Sequence, residues 1–493
     1  MISRFHDFAI EDFWVGQIAK SPDHEITRFP DSLEVSMIDA ERIHDIFSRI
    51  QKFSSGDEVE AIVAGGRSSL TRFANNTIHQ NVSEEGYVVS IRVAMDGKTA
   101  RATTNRLDDD GLRRAVESAQ QIARVQQPDP DLLSVPTVEE AGVVEPVNRH
   151  FAATAAITPE DRAKAVEEIV SIAKLRKQTA AGIYSSSETV EALMNSRGLS
   201  RFHRQTSAEV SITMLAEDSS GWQKANSPNV ANLQPRHLAE IAAEKASRSA
   251  HPREVPPGKY TVVLEPAAVL DLLGFMFFDF GGTALLEQRS FLNNRLGTKL
   301  FGENVTIRDD AYHPLQSGTG FDGEGVPRQR VPLVENGVVK NLVYARGTAR
   351  KIVHSQYASQ LGKIQPTGHG FPLPNEIGEA PMNIVMQGGD GGPESLIAGV
   401  ERGILITRLW YIREVDPYEK ILTGMTRDGT FLIEKGKLAG GVRNFRFNQS
   451  LVDLLKNIEA TGKPVRASGE ESFDMVVPPI RARNFNFTEL TKF

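Results

Sequence analysis

Eleven histidines, 63 acidic residues and no cysteine define the chemistry open to this 493-residue chain. No two of the histidines lie within five residues of each other. A helical zinc site needs two ligands one turn apart and a third from elsewhere. Neither an H-E-x-x-H nor an H-E-x-x-x-H spacing occurs. The lack of cysteine excludes a disulfide framework, a thiolate nucleophile and a Cys-ligated metal.

The remaining candidates sit in two glycine-rich segments. Asp322 and Glu324, in Gly320-Phe-Asp-Gly-Glu-Gly325, are spaced as paired carboxylates for acid/base work, although the plainer reading is a turn with solvated acids. His369, between Gly368 and Gly370, is a candidate cleft residue; the plainer reading is a loop histidine bonded to backbone. Gly388-Gly-Asp-Gly-Gly392 lacks the lysine of a P-loop, and Ser185-Ser-Ser187 lacks the G-x-S-x-G frame of a nucleophile elbow. Asp322, Glu324, Gly325, Gly368 and His369 are therefore the candidate lining of a substrate groove. No catalytic residue, metal ligand or cofactor is assigned.

These segments must be positioned by the elements around them. The length suits two or three domains, and a net charge of −7 without a basic run argues against nucleic-acid binding. The first dozen residues have no apolar core of a signal peptide, and the apolar run Val269–Phe280 carries Asp271 and Asp279 and is too short for a bilayer. A cytoplasmic protein without a membrane anchor is expected.

The N-terminal half reads as a duplication. In Asp39–Ile50, Ile43, Ile46, Phe47 and Ile50 form one helical stripe. Strand-like segments follow at Glu60–Ala64, Ser69–Asn81 and Tyr87–Val93, then an Asp96-Gly97 hairpin turn, a return strand Lys98–Thr104 and a helix from Asp108 to about Arg124. The order recurs: a helix start at Thr158-Pro-Glu-Asp161, strands near Ala180–Tyr184, Val190–Asn195 and Val210–Leu215, a turn at Ser219–Gly221, and a helix over Pro235–Ser249. Val89-Ser-Ile91 and Val210-Ser-Ile212 lie 121 residues apart. Three prolines within Pro252–Gly258 mark a boundary, after which strands and glycine turns dominate, with hairpins at Asn336-Gly337 and Lys435-Gly436. The expected architecture is α+β: an N-terminal extension (1–35), a duplicated α-β-β-β-α domain (36–252, copies about 36–128 and 157–252), and a curved, barrel-like β-domain (253–493).

With these segments in order, the chain resembles the TldD/PmbA family, once described as modulators of DNA gyrase. The resemblance runs through Thr71–Asn81, Asp309-Asp310, Gly320–Val326, Val334–Leu342, Ala345–Arg350, Thr367–Gly370 and Gly429–Gly436. In the family's zinc-bearing branch an H-E-x-x-x-H helix precedes the segment ending in Asp309-Asp310. Its three positions fall here at about Leu273, Gly274 and Phe278, and the third ligand of that branch is a cysteine. The chain is similar to the PmbA (TldE) branch. The resemblance implies a zinc-less, non-catalytic subunit of a metallopeptidase system acting on unfolded peptides. Its partner would be a zinc-bearing TldD-like subunit or a second copy. Two other functions are a regulatory binding protein of gyrase-modulator type and a stand-alone hydrolase using His369 with Asp322 or Glu324.

Overall fold

A computed structural model describes residues 37–491, so the expected extension 1–35 lies outside the described residues. Helix α1 (Ala40–Phe53) starts where the Asp39 carboxylate accepts the Arg42 N–H at 2.8 Å, and it buries the Ile43, Ile46, Phe47 and Ile50 stripe. Strands β1 (Glu58–Ala74), β2 (Thr77–Met95) and β3 (Lys98–Thr104) follow, then α2 (Asp109–Val125), capped by Asp108. The second copy is α3 (Pro159–Leu175), β4 (Thr179–Asn195), β5 (Ser200–Leu215), β6 (Ser220–Ser227) and α4 (Pro235–Arg248). At its start Thr158 and Asp161 close a reciprocal capping box.

The six strands form one antiparallel sheet in the order β3-β2-β1-β4-β5-β6. The repeat holds at the level of register. Ile62 faces Ser90 as Ile183 faces Ser211, and Val89 faces Thr104 as Val210 faces Ala225. Each of those residues moves by the same 121 positions (183 − 62, 211 − 90, 210 − 89, 225 − 104).

Several local readings differ from the structure; the strands expected at Ala180–Tyr184 and Val190–Asn195, for example, are one strand, β4. Glu60–Ala64 and the start of Ser69–Asn81 belong to one long strand that passes through Gly65-Gly66, and the turn falls later, at Asn75-Asn76. Both asparagines take positive φ, as a two-residue hairpin demands. Gly65 and Gly66 look like a break but are a close approach: a Cβ on either would overlap the carbonyl oxygens of Gly86 and Glu188 on the flanking strands. The turn expected at Ser219–Gly221 comes slightly earlier, and β6 occupies Ser220–Ser227.

One face of the sheet carries the helices. Ile46, Ile50, Val89 and Ile91 form the core of the first copy, and Val166, Ile169, Val210 and Ile212 that of the second. Each such side chain contributes about 1.5–3 kcal/mol on burial. The helix-free face meets the C-terminal domain.

There, β7 (Gly258–Leu264), β12 (Arg402–Asp416), β13 (Ile421–Glu434), β15 (Phe445–Ser450) and β19 (Ile480–Leu490) close into a five-stranded barrel, because β12 pairs with β7 on one side and β13 on the other. Phe445, Phe447, Phe485 and Phe487 fill it, with ring centroids 4.5–5.4 Å apart. A second sheet, in the order β10-β9-β8-β11-β18-β17, comprises β8 (Ile307–Asp309), β9 (Val331–Glu335), β10 (Val338–Val339), β11 (Ile384–Met386), β17 (Val465–Ala467) and β18 (Met475–Val477). The hairpins expected at Asn336-Gly337 and Lys435-Gly436 join β9 to β10 and β13 to β14 (Lys437–Gly441). Helix α5 (Pro266–Leu273) tightens at Gly274 into a 3₁₀ turn, Gly274–Phe280, so the apolar run is helical but not one continuous α-helix. Among the described residues no helix is long and apolar enough to cross a membrane.

Candidate functional site

The Gly320–Val326 turn is built around its own aspartate. Asp322 Oδ1 accepts the N–H groups of Glu324 and Val326, both at 2.9 Å, and Oδ2 accepts that of Gly370 at 2.7 Å. The Gly323 N–H returns a bond to the Gly370 carbonyl at 2.9 Å. Asp322 thus ties its turn to the segment holding His369. Gly368 lets that segment press against Pro327, whose carbonyl a Cβ at 368 would overlap.

Glu324 Oε2 accepts the Arg346 N–H at 2.9 Å, while Oε1 is buried without a partner. Burial, and then the neighbouring Asp322 carboxylate, push Glu324 up to about 8. Above it the helix-free face of the N-terminal sheet supplies Glu60 from β1 and Arg101 from β3. They pair at 2.5 Å, and Arg101 Nε also donates to the Leu373 carbonyl at 2.7 Å. Arg201 of β5 donates to the Gly325 carbonyl at 3.0 Å and to the Gly142 carbonyl at 2.6 Å.

His369 lies inside the C-terminal domain. Its Nδ1 is 3.0 Å from Thr367 Oγ1, and its Nε2 is 2.9 Å from Asp309 Oδ1, a contact not aligned as a hydrogen bond. Asp309 Oδ2 accepts the N–H groups of Met382 and Asn383, each at 2.7 Å. Burial opposes the charge on Asp309, yet His369 and these N–H groups hold it below the usual carboxylate range.

The structure therefore brings Asp322, Glu324, Gly325, Gly368 and His369 together, but corrects their surroundings. Asp322 and Glu324 are only 2% and 3% exposed, not solvated, because the turn is pressed between two domains. His369, 2% exposed, faces a carboxylate and a hydroxyl rather than backbone. Beside them an open cleft of about 320 Å³, lined by Val138, Val143, Val144, Arg201, Phe202 and Phe321, reaches the domain junction.

Sequence reasoning missed the residues that complete this junction. Glu60, Arg101 and Arg201 carry no motif, and their partners lie 41, 272 and 124 residues away. Asp271 was visible as an acid in an apolar run. It is fully buried, its Oδ1 accepts the Glu471 N–H at 3.0 Å, its Oδ2 has no partner, and burial pushes it up to about 8.

The residues do not fit the zinc that the resemblance implies for its active branch. Leu273 is core, Phe278 offers no donor, and a Cβ on Gly274 would overlap Ser472 Oγ. Among the described residues no group of three or more His, Cys, Asp or Glu is placed to hold a metal ion.

Comparison with known proteins defines the class. Family profiles described as PmbA/TldA metallopeptidase domain 1, central domain and C-terminal domain match residues 59–123, 152–250 and 257–489. The chain belongs to the TldD/PmbA family. It is 27% identical over 308 residues to a metalloprotease of Methanothermobacter thermautotrophicus, across 57% of this chain and 62% of that relative. It therefore spans less than two thirds of that archaeal protein's length. It is 22% identical to the metalloprotease PmbA of Escherichia coli O157:H7, covering 86% of this chain and 91% of PmbA. The fold matches the crystal structure of TldE from Thermococcus kodakarensis with a TM-score of 0.78 at 21% identity, covering 91% of this chain and 100% of TldE.

Proposed function

We propose that this chain is a zinc-less subunit of a TldD/PmbA-type metallopeptidase system of the cytoplasm, without a catalytic residue of its own. It helps enclose an unfolded peptide for a zinc-bearing TldD-like partner, or pairs with a second copy. The observation that carries this reading is the fate of positions 273, 274 and 278. They are leucine, glycine and phenylalanine, and Gly274 is packed against Ser472 with no room for a glutamate side chain. The two relatives named above as metalloproteases support the peptidase system. In this reading Asp322, Glu324, Gly325, Gly368 and His369 brace the wall of the peptide groove rather than act on the peptide.

The test is to mix the purified chain with a zinc-bearing homologue from the same genome and to follow mass by light scattering and cleavage of carboxymethylated casein. A complex is expected at micromolar concentration. Its interface, through the C-terminal half, should bury about 1,200–2,000 Å² or more, and cleavage should exceed that of the homologue alone. Two monomers with unchanged cleavage would sink the reading.

A further inference from the structure

The exact 121-residue repeat exposes one asymmetry between the two copies. β5 pairs with β6 only from Ala208 onward, and β2 pairs with β3 only from Val89 onward. Each strand therefore has an outer edge left over. At Gln205–Thr206 of β5 the chain covers that edge itself. Arg149 forms a parallel bridge with Gln205, the Thr206 N–H donates to the Arg149 carbonyl at 2.9 Å, and the Phe151 N–H donates to Thr206 Oγ1 at 3.1 Å. On β2, Thr77–Gly86 has no strand on its outer side among the described residues, and all but Val82 of this stretch is exposed. It carries neither the proline nor the lysine by which edge strands are usually protected.

We propose that the open edge of β2, Thr77–Gly86, takes an extended peptide that runs parallel to β2 and sets a basic side chain against Glu84. The proposal rests on the peptide-handling reading above and names the surface. The occupant's form comes from the fold itself, since Arg149, bridged in parallel to Gln205, shows how an extended segment sits on the equivalent edge. Its charge comes from the register. Gln205, opposite Arg149, becomes Glu84 at the 121-residue offset (205 − 121), and Glu85 follows it. Glu85 is held 3.5 Å from Arg67, so Glu84 is the acid presented to an incoming strand. Main-chain bonds along the edge supply sequence-tolerant affinity, and the charge at one position supplies direction and preference.

The test uses the full chain and two ten-residue probes of alternating threonine and valine, with arginine or glutamate at the fifth position. With the arginine probe at ten times its dissociation constant, amide exchange across Thr77–Gly86 is expected to slow by about tenfold. The β5 segment 200–207 is expected to stay unchanged. The arginine probe should bind up to about fivefold more tightly than the glutamate probe, and Glu84→Arg should reverse that order. Exchange unaffected by either probe overturns the proposal. Edge amides already slow in the peptide-free chain at every dilution overturn it in favour of cover by the chain's own residues. Slowing that follows the chain's concentration alone overturns it in favour of a second copy. If mixing with the zinc-bearing homologue raises cleavage while the edge amides stay unchanged, this inference falls and the subunit reading stands.

Discussion

Glu324 concentrates the energetic tension of the junction, because one of its carboxylate oxygens is buried with no partner while Glu60 and Asp322 add negative charge nearby. The favoured state of such a group is the neutral acid. Its folded value, about 8, is raised from an ordinary 4.5, so the folded chain binds that proton more tightly than the unfolded chain. Stability tied to the proton is fully present below about pH 4.5 and is lost as the pH rises through about 8. By the conversion of 1.36 kcal/mol per pKa step, the loss is of the order of 5 kcal/mol. Chemical denaturation of wild type and Glu324→Gln between pH 6 and 9 checks this. The amide cannot ionise, so the variant should gain on the wild type as the pH rises. A constant difference between the two would refute the assignment. Asp271, also pushed up to about 8, adds a second slope of the same sign that Glu324→Gln leaves in place and Asp271→Asn removes. The sequence singled out Asp322, Glu324 and His369 through glycine spacing, which records a tight turn. It did not record burial, because Asp322 and Glu324 are covered from β1, β3 and β5 across the domain junction, and His369 is enclosed within the C-terminal domain beside Asp309 and Thr367.

At the scale of elements, what was legible was local. The Thr158–Asp161 capping box, the Asp96-Gly97 turn and the Ile43–Ile50 stripe each depend on residues within a few positions, and each holds in the structure. The break expected between Glu60–Ala64 and Ser69–Asn81, where Gly65-Gly66 falls, is absent for a physical reason. Glycine breaks strands through its freedom, but here it sustains one through its lack of a side chain, where three strands pass within carbonyl contact. A comparison within the sheet tests that account. Gly66 and Gly86 face each other across β1 and β2, yet a Cβ on Gly86 meets nothing within 4 Å. Gly66→Val should cost about 2–4 kcal/mol, from strain at φ +150 and overlap with Glu188. Gly86→Val should stay within about 0.5 kcal/mol of wild type. Equal losses in the two variants would remove the close-approach explanation. The closure of the barrel lies at the other extreme of legibility. The hairpins flanking it were readable, but the parallel pairing of β12 with β7 joins residues more than a hundred positions apart and leaves no local mark.

Over the whole molecule, the helix-free face of the duplicated sheet is fastened to the C-terminal domain by charged groups as well as by a small apolar cluster in which Ile62, Leu193 and Leu199 pack on Phe321. Arg101 and Arg201 reach the Leu373 and Gly325 carbonyls, and Arg149 reaches those of Ala311 and His313 at 3.0 Å. Arg408 pairs with Asp428 at 2.6 Å, under the ring of Trp222 from β6. Such groups are costly to strip of partners, so the two domains are held in one relative placement and any groove between subunits has a rigid wall. Such rigidity suits the non-catalytic subunit proposed above, and that proposal makes the metal question decisive. After dialysis the purified chain should retain well under one zinc per chain, and alone it should leave carboxymethylated casein intact. The expectation follows from the leucine, glycine and phenylalanine at 273, 274 and 278 and from the absence of cysteine. About one zinc held tightly per chain would require a site drawn from distant side chains and would end the zinc-less reading. Cleavage by the metal-free chain that disappears in His369→Ala would end it differently, by placing the chemistry on the Asp309–His369 contact inside the C-terminal domain. Cleavage that appears only with the zinc-bearing homologue, and survives His369→Ala in a variant that still folds, is the result the proposed subunit role predicts.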